Sequence, residues 1–341
     1  MNREVELGEY HFATSALGFG TAGIFHEPSK LARQRLLESA LGAGICHFDV
    51  APIYGLGLAQ GELGQVLRSH REEVVIVTKV GIGLTPLARA LGRVQRPARK
   101  VLQKIPSLQR QARQSATSPS SGKFGGLLYR STFDPRAAQR SLDESLRELD
   151  TDYIDLLLLH DPEPSRINPM EMYGLLERAR TSGKIRSWGV AGEAEPISAV
   201  IKEFPGPTPV VQIRDDIFRR DASVSLPSQC EYLITFGVLG DALPKILAHV
   251  TSIKARTLQW SDAVGADCAN PETIVTFLLK DALRANARGT VLYSTTRPAR
   301  IRDAVALSNC DADTSDSALD TFRQLVATQL GPSEAPPKEG S

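Results

Sequence analysis

The chain has 341 residues, 42% hydrophobic and 23% charged, with 40 basic against 39 acidic side chains and a formal net charge of +1. That balance excludes a disordered chain and gives no electrostatic case for nucleic acid as a partner. The widely spaced Cys46, Cys230, Cys268 and Cys310 form no CxxC pair, which argues against a structural zinc site or a disulfide scaffold and reads them as small buried apolar residues.

In chain order, the N-terminal MNREVELGEY carries no basic-then-apolar leader, and no apolar stretch is long enough to span a bilayer. A cytoplasmic protein is expected. Apolar runs of strand length then recur at 15–20, 45–50, 74–79, 153–159, 185–190, 209–213, 232–236 and 290–294. They are continuous rather than alternating, as in strands buried on both faces of a parallel sheet. Helical patterns fill most gaps between them. Ser29 is an N-cap before Leu36, Leu37, Ala40 and Leu41. Asp134-Pro135 opens a helix that presents Ala138, Leu142, Leu146 and Leu149 at helical spacing, and Asn270-Pro271 repeats the same start signal. Eight rounds of strand and helix predict a (β/α)8 TIM barrel in one α/β domain over 1–330. An open doubly wound sheet is the runner-up. Against it, no helical pattern starts at the third glycine of Gly18-Phe19-Gly20-Thr21-Ala22-Gly23.

Two segments break the alternation. Residues 84–130 form a long insertion after the third strand, with ten basic and no acidic side chains, and residues 241–268 lengthen the approach to the eighth. The basic insertion reads either as a solvated lid or as a device that recruits an anionic substrate or acidic partner. The tail 331–341, rich in Pro, Gly and Ser, is expected to be disordered.

The chemistry of such barrels lies where strands end at their C-terminal rim. The second strand ends at Asp49, with Tyr54 five residues on. The third ends at Lys79 and the fourth at His160. Neighbouring strands would bring the four to one cleft, a set suited to passing a proton to a carbonyl oxygen. Tyrosine, with an ordinary pKa of about 10, is a weak donor near neutrality. A Lys79 cation beside it is expected to lower that value, with Asp49 positioning the lysine and His160 orienting the oxygen. A buried Asp–Lys pair alone would equally serve as a structural device. No serine or cysteine stands with a base, and metal ligands do not cluster, which disfavours acyl transfer and metal-assisted hydrolysis. His47 shares strand parity with Asp49 and is expected to pack inside the barrel. Trp188 and Trp260 read as packing residues, with Trp260 retaining a lesser claim as a substrate platform at the mouth.

The stretches LGFGTAGI (17–24), FDVAPIYG (48–55), TKVG (78–81), SLDESLRELDTDYIDLLLLHDP (141–162), GKIRSWGV (183–190) and VLYSTTRPARI (291–301) follow one another in this order. In them the chain resembles the aldo/keto reductase family over residues 5–310. The resemblance implies a barrel with an N-terminal β-hairpin and a nicotinamide cofactor bound without a Rossmann fold. It implies reversible hydride transfer between NADPH and an aldehyde or ketone, or oxidation of a sugar lactol in reverse, as in the aldose 1-dehydrogenase-like branch. Asp49, Tyr54, Lys79 and His160 are then the catalytic tetrad, with Tyr54 as general acid or base. Gln212 would hold the nicotinamide carboxamide and Phe236 would stack on its ring, with Gly237 and Leu239 in the turn that follows. Ser294, Thr295 and Arg300 would form the adenosine-phosphate site. The chain departs from the family at Ala191-Gly192, where Ser-Asn is usual, at Ser294, where lysine is usual, and at Ala59-Gln60, where Ser-Glu is usual. Arg300 favours NADPH, and the missing lysine leaves NADH open. The alternative function is a regulatory or sensor subunit that binds nicotinamide with little turnover, as the family's potassium-channel β subunits illustrate.

Overall fold

Strands paired only with strands that follow them in sequence must close on themselves or leave two edges; here they close. The computed structural model describes residues 4–6, 13–93, 129–206, 210–220, 232–310 and 316–331. Glu4–Glu6 (β1) and Ala13–Ser15 (β2) form an antiparallel hairpin. The barrel strands begin with Leu17–Gly20 (β3), His47–Asp49 (β4) and Val75–Val80 (β5). Ile82–Leu84 (β6) and Tyr129–Ser131 (β7) pair antiparallel outside the barrel. Ile154–His160 (β8), Ile185–Gly192 (β9), Val210–Arg214 (β10), Tyr232–Phe236 (β11) and Thr290–Tyr293 (β12) complete it. All eight pair in parallel, and β12 returns to β3 through Val291 opposite Leu17 and Tyr293 opposite Phe19.

The start signals act as expected. Ser29 caps Lys30–Gly42 (α1) by accepting from the Ala32 N–H. Ala59–Leu67 (α2) and Pro86–Arg93 (α3) follow. Asp134 accepts from the Ala137 N–H at the start of Pro135–Leu149 (α4), with proline at the first helical turn. Pro169–Thr181 (α5) and Ala194–Glu203 (α6) cover the next strands. The segment 241–268, read from sequence as an extended passage, holds two helices, Ala242–Val250 (α7) and Lys254–Val264 (α8). Asn270 caps Pro271–Ala285 (α9), and Pro298–Ser308 (α10) and Ser317–Leu330 (α11) end the described chain. No helix among the described residues is long and apolar enough to cross a membrane.

Alternation along each strand sorts the side chains into two layers. Val75, Val77, Leu156, Leu158, Val210 and Ile234 pack inside the barrel, together with Val5 of the hairpin. Ile76, Leu157, Leu159, Val190, Val211 and Ile213 pack outward under the helices. The inner cluster is small, so the interior volume above and below it falls to polar residues.

Several expectations need revision. The run 15–20 divides between the hairpin and the barrel at Ala16, and the fifth barrel strand extends to Gly192. Trp260 is not at the mouth: it is fully buried edge-on to Phe322 of α11, and its indole N–H donates to Gln329. Trp188 packs with Tyr173 and Phe204. Of the cysteines, Cys268 is buried, Cys46 half-buried and Cys310 exposed; Cys230 lies outside the described residues. So do the tail 332–341 and residues 94–128 of the basic insertion. Arg89, at the described start of that insertion, pairs with Glu144 of α4.

Candidate active site

Barrel closure puts the ends of β4, β5 and β8 side by side, with Asp49 opposite Val77 and Lys79 opposite Leu158. Inward parity then aims Asp49, Lys79 and His160 into one volume. The Lys79 ammonium donates to both carboxylate oxygens of Asp49, each at 2.6 Å, and lies 3.5 Å from the Val50 carbonyl oxygen. Asp49 and Lys79 are 3% and 2% exposed. A buried pair of this kind repays desolvation only with tight geometry and further hydrogen bonds. The further bond comes from Gln212 on the opposite wall, whose Nε2 donates to Asp49 Oδ2 at 2.7 Å. A carboxylate only accepts, so this contact settles which end of the amide faces Asp49.

Tyr54 follows β4 in a turn of 3-10 helix and is half-buried over this pair. The Lys79 ammonium stands 5.3 Å from its ring centroid, and the His160 ring meets it edge-on at 6.3 Å. The four sequence-predicted residues are therefore together. Their electrostatics differ from the expectation. The Tyr54 phenol is raised well above 10, first by burial, then by the carboxylates of Asp49 and Asp161. Lys79 does not offset these effects: its ammonium stands toward the ring and is bonded to both oxygens of Asp49. His160 is lowered to about 3, by burial and then by Lys79, so it is a neutral imidazole at physiological pH. Among the described residues its buried Nδ1 has no hydrogen-bond partner.

The lysine also has support from outside the barrel. Thr78, its neighbour on β5, donates to Gln60 Oε1 at 2.7 Å, and Gln60 Nε2 donates to Glu148 Oε2 at 2.7 Å. This accounts for Gln60: its amide gives the hydrogen bond to Glu148 and takes the one from Thr78, which a carboxylate could not do for both. No sequence signal pointed to that bridge, since its members lie on β5, α2 and α4.

The candidate cofactor residues occupy the other arc of the rim. Gln212 lies within β10, Phe236 ends β11 and stands opposite Arg214, and Ser294 follows β12. Gly237 and Leu239 belong to the turn after β11, where the Gly240 N–H donates to the Gly237 carbonyl. Gln212 thus sits with the tetrad as well as with this arc. The donor set fits a dinucleotide, with a half-buried aromatic ring, a turn of backbone amides and the Thr295 hydroxyl on adjacent strands. Ser294 is close to Gly23, where a Cβ would lie 2.7 Å from its Oγ. Arg300 is not a free cation: its guanidinium pairs with Glu272 near the start of α9.

Two rim residues were not singled out from sequence. Arg214, inward on β10 beyond Gln212, is 9% exposed and donates to Asp241 Oδ2 at 2.9 Å. Asp161 follows His160. Its carboxyl is raised to about 6, first by burial and then by Glu193, with Lys79 opposing. A charged residue at the end of a mostly apolar strand, and an acid directly after a strand-ending histidine, were the available signals. Among the described residues, no group of three or more His, Cys, Asp or Glu is placed to hold a metal ion.

Comparison with known proteins gives a coherent result. The sequence profile of the aldo/keto reductase family matches residues 16–232. Pyridoxal 4-dehydrogenase of Microbacterium luteolum is 36% identical over 161 residues, covering 46% of this chain and 42% of that protein. D-threo-aldose 1-dehydrogenase of a Pseudomonas species is 31% identical over 184 residues, covering 52% and 50%. The chain thus spans about half the length of these two relatives. NADH-specific methylglyoxal reductase of Escherichia coli is 24% identical with 93% and 97% coverage. Among solved structures, the glycerol dehydrogenase of Gluconobacter oxydans superimposes with a TM-score of 0.69 at 16% identity, covering 98% of each chain. An aldo-keto reductase of Klebsiella pneumoniae, solved in complex with NADPH, gives 0.63 at 20% identity and the same coverage. At these identities the structures speak for the barrel alone.

Proposed function

Because the chain belongs to the aldo/keto reductase family, we propose that it interconverts a carbonyl and an alcohol on a small aldehyde, ketone or sugar lactol. Tyr54 exchanges the proton with the substrate oxygen. A nicotinamide dinucleotide supplies or takes up the hydride. Gln212, Phe236, Gly237, Leu239, Ser294 and Thr295 would hold it along one arc of the rim. The Thr295–Arg300 pattern favours NADPH, although a 2′-phosphate must compete with Glu272 for Arg300.

The observation that carries this reading is the buried Lys79–Asp49–Gln212 chain lying under the Tyr54 ring, with neutral His160 beside it. A phenol held above its ordinary pKa keeps its proton across the physiological range and is the weaker donor for it, so the substrate oxygen must become strongly basic before it takes that proton. As the carbonyl gains hydride its oxygen becomes far more basic, and the proton moves then. Asp49 and Lys79 hold opposite charges close together, so this pair offers Tyr54 a fixed dipole with no net charge of its own. Neutral His160 presents a ring nitrogen to orient the carbonyl and no competing acid.

The test is turnover of 4-nitrobenzaldehyde with NADPH and with NADH, and oxidation of aldoses with the oxidised forms. Tyr54→Phe should lower kcat by about 10³-fold and leave dinucleotide affinity unchanged. Tight binding without turnover across a broad carbonyl panel would overturn the enzyme reading in favour of a sensor.

A further inference from the structure

We propose that Asp161 is a charge-bearing wall of the hydride site that binds the oxidised nicotinamide in preference to the reduced one, so that the resting protein is loaded for oxidation. The inference rests on the dinucleotide reading above and assigns it a preferred redox form.

Asp161 is the first residue past β8. Its N–H donates to the Ala191 carbonyl at 2.7 Å, which extends the β8–β9 contact by one step. Its backbone is left-handed, with φ at 47°. That conformation costs a side-chain-bearing residue energy and persists where the surroundings over-determine it. The carboxylate is held against Gly192: a Cβ built there would lie 2.5 Å from Asp161 Oδ1 and 3.3 Å from its Cα. Any side chain at 192 would therefore have to displace the acid, so Gly192 and Asp161 form one feature of the rim.

Among the described residues the charge is left uncompensated. No hydrogen bond or ion pair to the Asp161 carboxylate is present among the described residues. Lys79 acts on it from a distance but is bonded to Asp49. Its acidic neighbour Glu193 is partly balanced by Arg214 and Arg219, each at 3.9 Å. With a value near 6, the acid is still ionised at pH 8.

Its field reaches the chemistry: Asp161 directly follows His160, whose ring meets the Tyr54 ring edge-on at 6.3 Å, and its charge raises the Tyr54 phenol. Oxidation of an alcohol would send a hydride, with both electrons of the C–H bond, to the nicotinamide, and the hydroxyl proton to Tyr54 after the phenol has given its own proton to solvent. A ring placed to receive that hydride would lie beside the carbon whose oxygen Tyr54 serves, and so within the same field. The oxidised ring carries one positive charge and the reduced ring none. A fixed carboxylate in a partly buried site attracts the first and not the second. The cation in turn offsets the push that Asp161 exerts on Tyr54, which helps the phenol release its proton.

Calorimetric titration with NADP+ and NADPH, and with NAD+ and NADH, at pH 8 tests this on the wild type, Asp161→Asn and Gly192→Ser. Asparagine keeps the shape and removes the charge; serine at 192 pushes the carboxylate away without removing it. The preference for the oxidised form should fall by about tenfold in Asp161→Asn, equivalent to ~1.4 kcal/mol, through weaker binding of the oxidised form. Gly192→Ser should move in the same direction and gives the reading if Asp161→Asn does not fold. A preference within twofold of wild type in every folded variant overturns the inference alone. Failure of the wild type to bind any of the four dinucleotides overturns both it and the reading beneath it.

Discussion

The two ends of the barrel interior are both polar, and they solve burial in opposite ways. At the base, His47, Thr14, Ser15, Tyr232 and Thr290 form a neutral network. Thr14 Oγ1 meets His47 Nδ1 at 3.1 Å, Thr290 donates to the Ser15 carbonyl at 2.8 Å, and Tyr232 and Thr290 share a bond of 2.6 Å. At the rim, Asp49 and Lys79 form a buried ion pair and Tyr54 stands half-open above them. His47 and His160 show how little a shifted pKa decides alone. Both are lowered to about 3 by burial and then by Lys79. One is closed in by the N-terminal hairpin, and the other faces a phenol. Neighbours, rather than the shift itself, separate a packing histidine from a candidate catalytic one.

The largest way to break this comparison is Lys79→Met. It leaves Asp49 as a buried charge with Gln212 as its remaining hydrogen-bond donor, and should cost about 3–5 kcal/mol in urea unfolding together with turnover. Adding Asp49→Asn should restore much of the stability and none of the turnover, because an amide–thioether pair has no charge to offer the site.

Acid should separate the ends next. Each histidine has a folded value near 3 against 6.5 for the free side chain. Between those values the unfolded chain binds protons that the folded chain refuses, so stability present above pH 6.5 is lost as pH falls. Asp161, raised from 3.8 to about 6, acts in the opposite sense over that lower range, but it is one group against two. The urea midpoint should therefore be lower at pH 5 than at pH 7. His47→Gln should shrink that difference while kcat at pH 7 stays at the wild-type value. An unchanged difference would mean that His47 does not carry the acid sensitivity.

The smallest effect is expected from Thr14→Val, which removes the hydrogen-bond partner of His47 Nδ1. It should cost about 1–3 kcal/mol, as for an orphaned buried polar group, with no change in KM or kcat. A kinetic effect would show that the base of the barrel communicates with the rim.

Much of this molecule was legible in the chain. The eight apolar runs became the eight barrel strands, because continuous burial on two faces leaves a local signature. Ser29, Asp134 and Asn270 capped their helices, because a cap acts within three residues. Asp49, Tyr54, Lys79 and His160 could be placed together once strand order was known, since parity and the C-terminal rim follow from the fold. The helices in 241–268 were missed, because their caps are weak: neither Asp241 nor Ile253 makes a side-chain cap bond. Trp260 was half-misread because its partners, Phe322 and Gln329, come from a helix far along the chain.

The sequence by itself thus determined the architecture and the membership of the candidate site, since short-range periodicity, capping and strand parity need no knowledge of distant residues. Tertiary structure alone decided how that site is charged. It joined Gln212 to Asp49 across 163 positions, gave Arg300 to Glu272, set the Asp161 carboxylate over Gly192, and raised the Tyr54 phenol that sequence reasoning had expected to fall. A protonation equilibrium depends on distance and dielectric to every neighbouring charge, and those quantities exist only once the chain has closed around them.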